Sequence, residues 1–213
     1  MIRPSLPRRC RLCAAALLLT LAAGCGALRS TTPQPSFYSL DGAWGAAPGS
    51  APAAAPTLIV NPTQAASGYD SQRIIYIREA HKLEYFAHSE WIDTPARMLA
   101  PLVVAAVENS GTFRAVVLTP SAATGDLRLD TEIMRLQHEF SSKPSRVRFT
   151  LRAYLVDNRT RRVVAWREFD TAVPATSEDP YGGVVAANRA IRIVLEDLSA
   201  FCADAARSKV TGN

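Results

Sequence analysis

The sequence predicts a single α/β domain with a mixed, mostly antiparallel sheet of five or six strands and two main helices. Two observations carry this prediction. Short apolar runs and long alternating runs, both typical of strands, are separated by two segments whose apolar residues recur every three or four positions. In chain order these elements are strands, a helix, strands and a long helix, and each helix has one apolar face that must pack on the sheet.

The first part of the domain is predicted to contain a buried strand and a hairpin. The strands are predicted at residues 37–40, 57–60, 73–78 and 82–87. Glu79–His81 is short enough to be the hairpin turn between the last two. Residues 42–56 are rich in Ala, Gly and Pro, and this composition predicts a disordered low-complexity insertion.

The first helix is predicted to begin at Thr94-Pro95, with Thr94 as the N-cap and Pro95 at the first helical position. Gly111 lies just past its end, where a C-terminal glycine is expected. Three long amphipathic strands then follow at 127–134, 146–156 and 163–169, which predicts an antiparallel meander with one solvated face. A second apolar stripe of about 25 residues begins near Asp179-Pro180 and predicts the long final helix.

The amino terminus has the layout of a secretory signal peptide. Four arginines precede an apolar run of about 12 residues, too short for a membrane-spanning helix, which needs about 20. The run ends in Leu21-Ala22-Ala23-Gly24-Cys25, which resembles the lipobox of bacterial lipoproteins. This resemblance implies cleavage between Gly24 and Cys25 and a covalent lipid on Cys25, with no other cofactor. The alternative is an ordinary secreted protein cut at an Ala-x-Ala-like site, with Cys25 incidental.

The lipobox implies a domain order and a location. Residues 1–24 are the signal peptide, 25–36 a tether, 37–206 the folded domain and 207–213 a tail. Gly26 stands where an Asp would favour retention at the inner membrane. We therefore expect a protein held through Cys25 at the inner leaflet of the outer membrane and facing the periplasm.

Charge and cysteine usage argue against a nucleic-acid-binding protein and against a zinc-binding or redox protein. The net charge is +5, with 24 basic and 19 acidic residues, but four arginines leave with the signal peptide, so the mature charge is about +1. No nucleic-acid partner is expected from so balanced a domain. Cys10 and Cys13 have C-x-x-C spacing but lie in the removed segment. Cys202 falls on an apolar helix face and is expected to pack in the core.

Motifs of catalysis are missing from the sequence. It has no glycine-rich phosphate loop, no Gly-x-Ser-x-Gly elbow and no His-Glu-x-x-His. His81, His88 and His138 are not spaced as metal ligands, so we expect surface histidines and no metal site. The sequence therefore predicts a protein that is not an enzyme.

Two sets of residues are candidates for a partner surface. Tyr85 and Trp91 lie in an aromatic cluster around the predicted hairpin, and they either pack in the core or anchor an interface. Arg146, Arg148 and Arg152 share one face of a predicted strand. They either meet an acidic partner or lipid headgroups, or form an ordinary solvated face.

Several of these segments together resemble the ABC-type transport auxiliary lipoproteins, the PqiC-like family. The matching segments are the lipobox, Tyr38-Ser39-Leu40, Gly68-Tyr69-Asp70, Arg73-Ile74-Ile75-Tyr76, Leu83-Glu84-Tyr85, Trp91 before the helix from Pro95, and the long end helix. The likeness covers roughly residues 37–206. It implies an anticodon-binding-domain-like three-layer arrangement.

The resemblance also implies a partner role. Such lipoproteins accompany MCE-domain proteins and ABC transporter subunits that move lipids or other hydrophobic molecules across the envelope. On this reading the chain is a non-catalytic component of that system. The alternative function is that of a structural or assembly lipoprotein of outer-membrane or cell-wall machinery.

Overall fold

The structure is a computed structural model that describes residues 34–42 and 51–211. Gly24, the predicted lipidation site Cys25 and most of the predicted tether lie outside the described residues, as do residues 43–50 of the predicted insertion. From Pro35 onward the chain belongs to one structural unit.

Nine strands and two helices make up the described part of the chain. The strands are β1 (Ser36–Tyr38), β2 (Thr57–Val60), β3 (Gln64–Ala65), β4 (Arg73–Ile77), β5 (Glu84–Trp91), β6 (Ala115–Leu118), β7 (Leu127–Glu139), β8 (Arg146–Asp157) and β9 (Val163–Pro174). The helices are α1 (Pro95–Glu108) and α2 (Pro180–Thr211). The predicted single α/β domain with a mixed sheet and two main helices is confirmed.

The sheet has more strands than the five or six expected, because β7 is long enough to pair with several partners. Along one edge β7 pairs in parallel with β2, β3 and β4, and along the other it pairs antiparallel with β8. The antiparallel β8–β9 ladder extends the sheet on that side. On the other side β5 pairs antiparallel with β4, β1 pairs in parallel with β5, and β6 pairs in parallel with β2. All nine strands therefore join one mixed sheet.

The core lies between the sheet and the two helices. The alternation predicted for residues 146–156 is confirmed, because one face of β8 is buried, as the side chains of Val147, Phe149, Leu151, Ala153 and Leu155 show. Helix α2 packs on β8 and β9, and it meets α1 where the Ser199 hydroxyl on α2 donates to the Ala106 carbonyl on α1 at 2.9 Å. Cys202 packs in the same core, and burial raises the pKa of its thiol to about 12.

Helix α1 begins at Pro95 after Thr94, as predicted. Helix α2 is longer than predicted and continues through residues assigned to the tail. The added turn is supported by an Arg207–Asp204 ion pair and by the Ser208 hydroxyl, which donates to the Asp204 carbonyl at 3.0 Å. None of the described helices combines the length and the apolar character needed to cross a membrane.

The part of the predicted insertion that the structure describes forms a turn. The amide of Ala55 donates to the carbonyl of Pro52 at 2.8 Å, and the amide of Arg114 donates to the carbonyl of Pro56 at 3.0 Å. Residues 51–56 are therefore attached to the start of β2 and to the loop before β6, rather than forming a free loop.

Candidate functional site

Trp91, a candidate for the partner surface, lies in the core. Only 3% of its surface is exposed. In the β1–β5 register it stands opposite Tyr38, and it packs near Ile74 and Leu136. Trp91 is therefore a core residue and not part of a partner surface, because its side chain packs between the sheet and α2.

Tyr85, in contrast, is 51% exposed, and the Arg73 guanidinium lies over its ring, 4.0 Å from the centroid. It lines an open cleft of about 430 Å³ between β4, β5 and the loop that precedes β4. We call this the β4–β5 cleft, and its lining residues are Gly68, Asp70, Ser71, Arg73, Ile75, Leu83, Glu84 and Tyr85. The cleft is therefore built from the β4–β5 hairpin and the loop that leads into it.

The loop on one side of the cleft is held by Tyr69. Its hydroxyl donates to Gln137 Oε1 at 2.5 Å, and burial raises the pKa of this phenol, although Arg135 opposes the shift. Gly68 has a φ of +92°, in the left-handed region, while a Cβ there would have ordinary contact with Leu83. A side chain would fit at this turn, but the positive φ of its backbone favours glycine.

On the other side of the cleft, Glu84 is held by Arg78. The Arg78 Nε donates to Glu84 Oε2 at 2.9 Å, and this ion pair holds the pKa of the carboxyl below its usual value. Beside it the apolar side chain of Leu83 is 47% exposed. Exposed aromatic and aliphatic side chains ringed by positioned charges suit the docking of another protein.

The arginine face of β8 is neutralised within the sheet. Arg148 makes ion pairs with Glu139 at 3.1 Å and with Asp170 at 2.6 Å, and Arg152 makes one with Glu168 at 2.8 Å. These carboxylates come from β7 and β9, the two neighbours of β8. Arg148 and Arg152 therefore do not form a free basic surface, and Arg146 is exposed at the start of the strand.

His138 is buried, although a surface position was expected. A bulge between Ile133 and Arg135 shifts the alternation of β7, so that Leu136 and His138 turn towards the core. The ring Nε2 is hydrogen-bonded to the Ser145 hydroxyl at 2.8 Å, and Nδ1 has no hydrogen-bond partner among the described residues. Burial lowers the pKa of this imidazole, while Glu178 and Asp179 oppose the shift.

Acidification is expected to destabilise the domain through His138. The imidazole has its ordinary pKa of 6.5 in the unfolded chain and a lower pKa in the folded protein. As pH falls through about 6.5, the unfolded state takes up a proton that the folded state takes up only at lower pH. The free energy of unfolding therefore falls, and it levels off below the pKa of the folded protein.

Urea unfolding at several pH values between about 8 and 5 measures this effect. A His138→Gln variant keeps a polar partner for Ser145 but does not titrate, so its stability should depend less on pH in this range. Identical pH profiles for the two proteins would show that His138 is not responsible.

The comparisons with known proteins agree with this fold. A crystal structure of a Xanthomonas campestris protein has 24% sequence identity and a TM-score of 0.70, over 83% of this chain and 99% of that one. A crystal structure of an uncharacterised protein has 12% identity and a TM-score of 0.59, over 80% and 97% of the two chains. At these identities the likeness shows a shared fold. None of the curated proteins compared with the chain matches it.

The match to a protein family is more informative, because it spans most of the chain. The model of the ABC-type transport auxiliary lipoprotein component family matches residues 38–199. This range begins in β1, includes the β4–β5 cleft and ends within α2. The chain therefore belongs to the family of ABC-type transport auxiliary lipoprotein components.

Proposed function

We propose that this chain is a non-catalytic, lipid-anchored component of an MCE/ABC-type envelope transport system for lipids or other hydrophobic molecules. In this proposal a covalent lipid on Cys25 holds the domain at the inner leaflet of the outer membrane, facing the periplasm. Its partners are an MCE-domain protein and ABC transporter subunits. The family match over residues 38–199 carries the proposal.

The β4–β5 cleft supports a partner-binding role. It exposes Leu83 and Tyr85 next to a fixed cation, Arg73, and a paired carboxylate, Glu84. Aromatic and arginine side chains of this kind provide much of the binding energy at protein interfaces. We propose that the MCE-domain partner docks at this cleft.

Affinity purification tests the proposal with a carboxyl-terminally tagged protein from detergent-solubilised membranes, followed by mass spectrometry. The wild-type protein should recover an MCE-domain protein. The double variant Leu83→Ser/Tyr85→Ser should recover at least about tenfold less, which corresponds to about 1.4 kcal/mol of binding energy. Cys25→Ala should also reduce recovery, because the tether raises the local concentration of the domain at the membrane.

Ile193→Ser is the matched control for the cleft variant. Ile193 lies on α2, outside the cleft, and is 43% exposed, close to the 47% of Leu83. It should leave recovery unchanged. Recovery of outer-membrane assembly or cell-wall proteins without any MCE-domain protein would reject the transport role in favour of a structural lipoprotein. An equal loss with Ile193→Ser would reject only the cleft as the docking site.

A further inference from the structure

The turn between β8 and β9 carries a second surface, remote from the β4–β5 cleft. Arg159, Arg161 and Arg162 lie in or next to this turn, and all three are exposed. The first residues of β9 continue the surface with exposed apolar side chains. We call the whole set the hairpin patch; its members are Arg159, Arg161, Arg162, Val163, Val164 and Trp166.

The arginines of the hairpin patch differ from Arg148 and Arg152 of β8 in their surroundings. Arg148 and Arg152 are paired with carboxylates on neighbouring strands. For the side chains of the three patch arginines, no ion pair or hydrogen bond is found within the described part of the chain. Their positive charge is therefore available to an external anion.

The turn holds these arginines on a fixed backbone. Asp157 donates its amide to the Arg162 carbonyl at 2.9 Å and accepts the Arg161 amide on its own carbonyl at 2.8 Å. Its carboxylate also accepts the Thr160 amide at 2.7 Å. Arg161 has a φ of 60°, in the left-handed region. Little backbone ordering is needed when the patch binds, which favours binding.

A cleft of about 540 Å³ adjoins the patch, and Arg159 and Arg161 lie on its wall. The other charged groups of this cleft already have partners. Arg128 is paired with Asp130 at 3.0 Å, and the Asp126 carboxylate accepts the Thr57 amide at 2.8 Å. The two guanidinium groups from the turn are therefore the cations left to receive a phosphate.

The apolar half of the patch contains the most exposed tryptophan that the structure describes. Trp166 is 62% exposed and stacks on Tyr154, with ring centroids 6.3 Å apart. Val163 and Val164 lie beside it at the start of β9. Tryptophan is enriched at the membrane–water interface, and arginines near a membrane are attracted to anionic headgroups.

We propose that the hairpin patch docks on an anionic phospholipid surface, with the three arginines at the headgroup phosphates and Trp166 at the interface. A surface with three cations binds such a membrane weakly by itself. Weak binding suffices for a protein that is kept beside the bilayer by a lipid anchor, as in the function proposed above. This contact is separate from the docking of a protein at the β4–β5 cleft, and the two are tested independently.

Tryptophan fluorescence in reconstituted vesicles tests the proposal. The full-length protein, as isolated from membranes, is placed in vesicles of phosphatidylcholine alone or of equal parts phosphatidylcholine and phosphatidylglycerol, each with brominated acyl chains that quench nearby tryptophans. The difference between the wild-type protein and Trp166→Phe isolates the signal of Trp166. We expect quenching of Trp166 in the anionic vesicles, little in the neutral ones, and a loss at about 0.5 M salt, where charges are screened.

Two triple variants with the same change of net charge separate the patch from general electrostatics. Arg159→Gln/Arg161→Gln/Arg162→Gln should reduce the quenching to the level of Trp166→Phe. Arg97→Gln/Arg192→Gln/Arg207→Gln, which changes exposed arginines on the two helices, should leave it unchanged.

Three outcomes would overturn the proposal. These are equal quenching in neutral and anionic vesicles, an equal loss in both triple variants, and no quenching of Trp166 in either kind of vesicle. The last result would leave an acidic protein as the class of partner that fits the patch.

Discussion

Replacing Trp91 with alanine is expected to lower the free energy of unfolding by about 3–5 kcal/mol, as is usual when a large aromatic side chain is removed from a core. The residue is 3% exposed and packs between the sheet and α2, near Ile74, Leu136 and Ala187. Its removal would leave a cavity that the rigid strands β4 and β7 can fill only in part. Urea unfolding followed by circular dichroism measures the change.

Trp166→Ala is the matched control, since it removes the same side chain from an exposed position. Trp166 is 62% exposed, and its stacking on Tyr154 is the contact that would be lost. The expected loss of stability is about 1 kcal/mol or less. Equal losses in the two variants would contradict the burial of Trp91 and restore it as a candidate for the partner surface.

Gly182→Ala and Gly183→Ala are each expected to destabilise the domain by about 1–3 kcal/mol, as overpacking does in a filled core. Helix propensity alone predicts the opposite, a gain of about 1 kcal/mol for each change. In the structure a Cβ at Gly182 would lie 2.3 Å from the Ser177 carbonyl oxygen, and one at Gly183 would lie 2.6 Å from Nδ1 of His138. At these two positions the first turn of α2 therefore approaches its neighbours too closely for a side chain.

A double-mutant cycle identifies the contact at Gly183. In a His138→Ala background the imidazole is gone, so Gly183→Ala should cost little or even stabilise the helix. Gly182→Ala should stay destabilising in that background, because a Cβ at Gly182 would clash with atoms of Ser177 and not with His138. If Gly183→Ala costs the same in both backgrounds, the His138 contact is not the cause.

Several parts of the fold were predictable because they depend on neighbours in the sequence. Thr94-Pro95 marks the start of α1 because the fixed φ of proline suits the first helical position; the Thr94 side chain makes no capping hydrogen bond. The alternation of Val147, Phe149 and Leu151 marks the buried face of β8. Strand β3 was missed, because two residues, Gln64–Ala65, are too few to show any periodicity.

The candidate site was predictable only in part. Tyr85 was identified from its residue type and its place in an aromatic cluster, and it does line a cleft. For Trp91 the same reasoning left core packing and an interface open, because residue type does not show which side chains the long helix will cover; the structure places it in the core. The hairpin patch was missed, although a sign was present in the sequence: Arg159, Arg161 and Arg162 follow one another closely in a turn beside two valines.

The class of fold, the starts of both helices and the buried face of β8 could be predicted from the sequence alone. These follow from local propensity, capping and side-chain period, which act over a few residues. The folded structure was needed to show that the β7 bulge buries His138, that carboxylates neutralise Arg148, and that the residues around Gly68 and Tyr85 meet in one cleft. The first two depend on how β7, β8 and β9 pair, and the third on how β4 and β5 pair; the register of such pairs is set by the packed sheet as a whole.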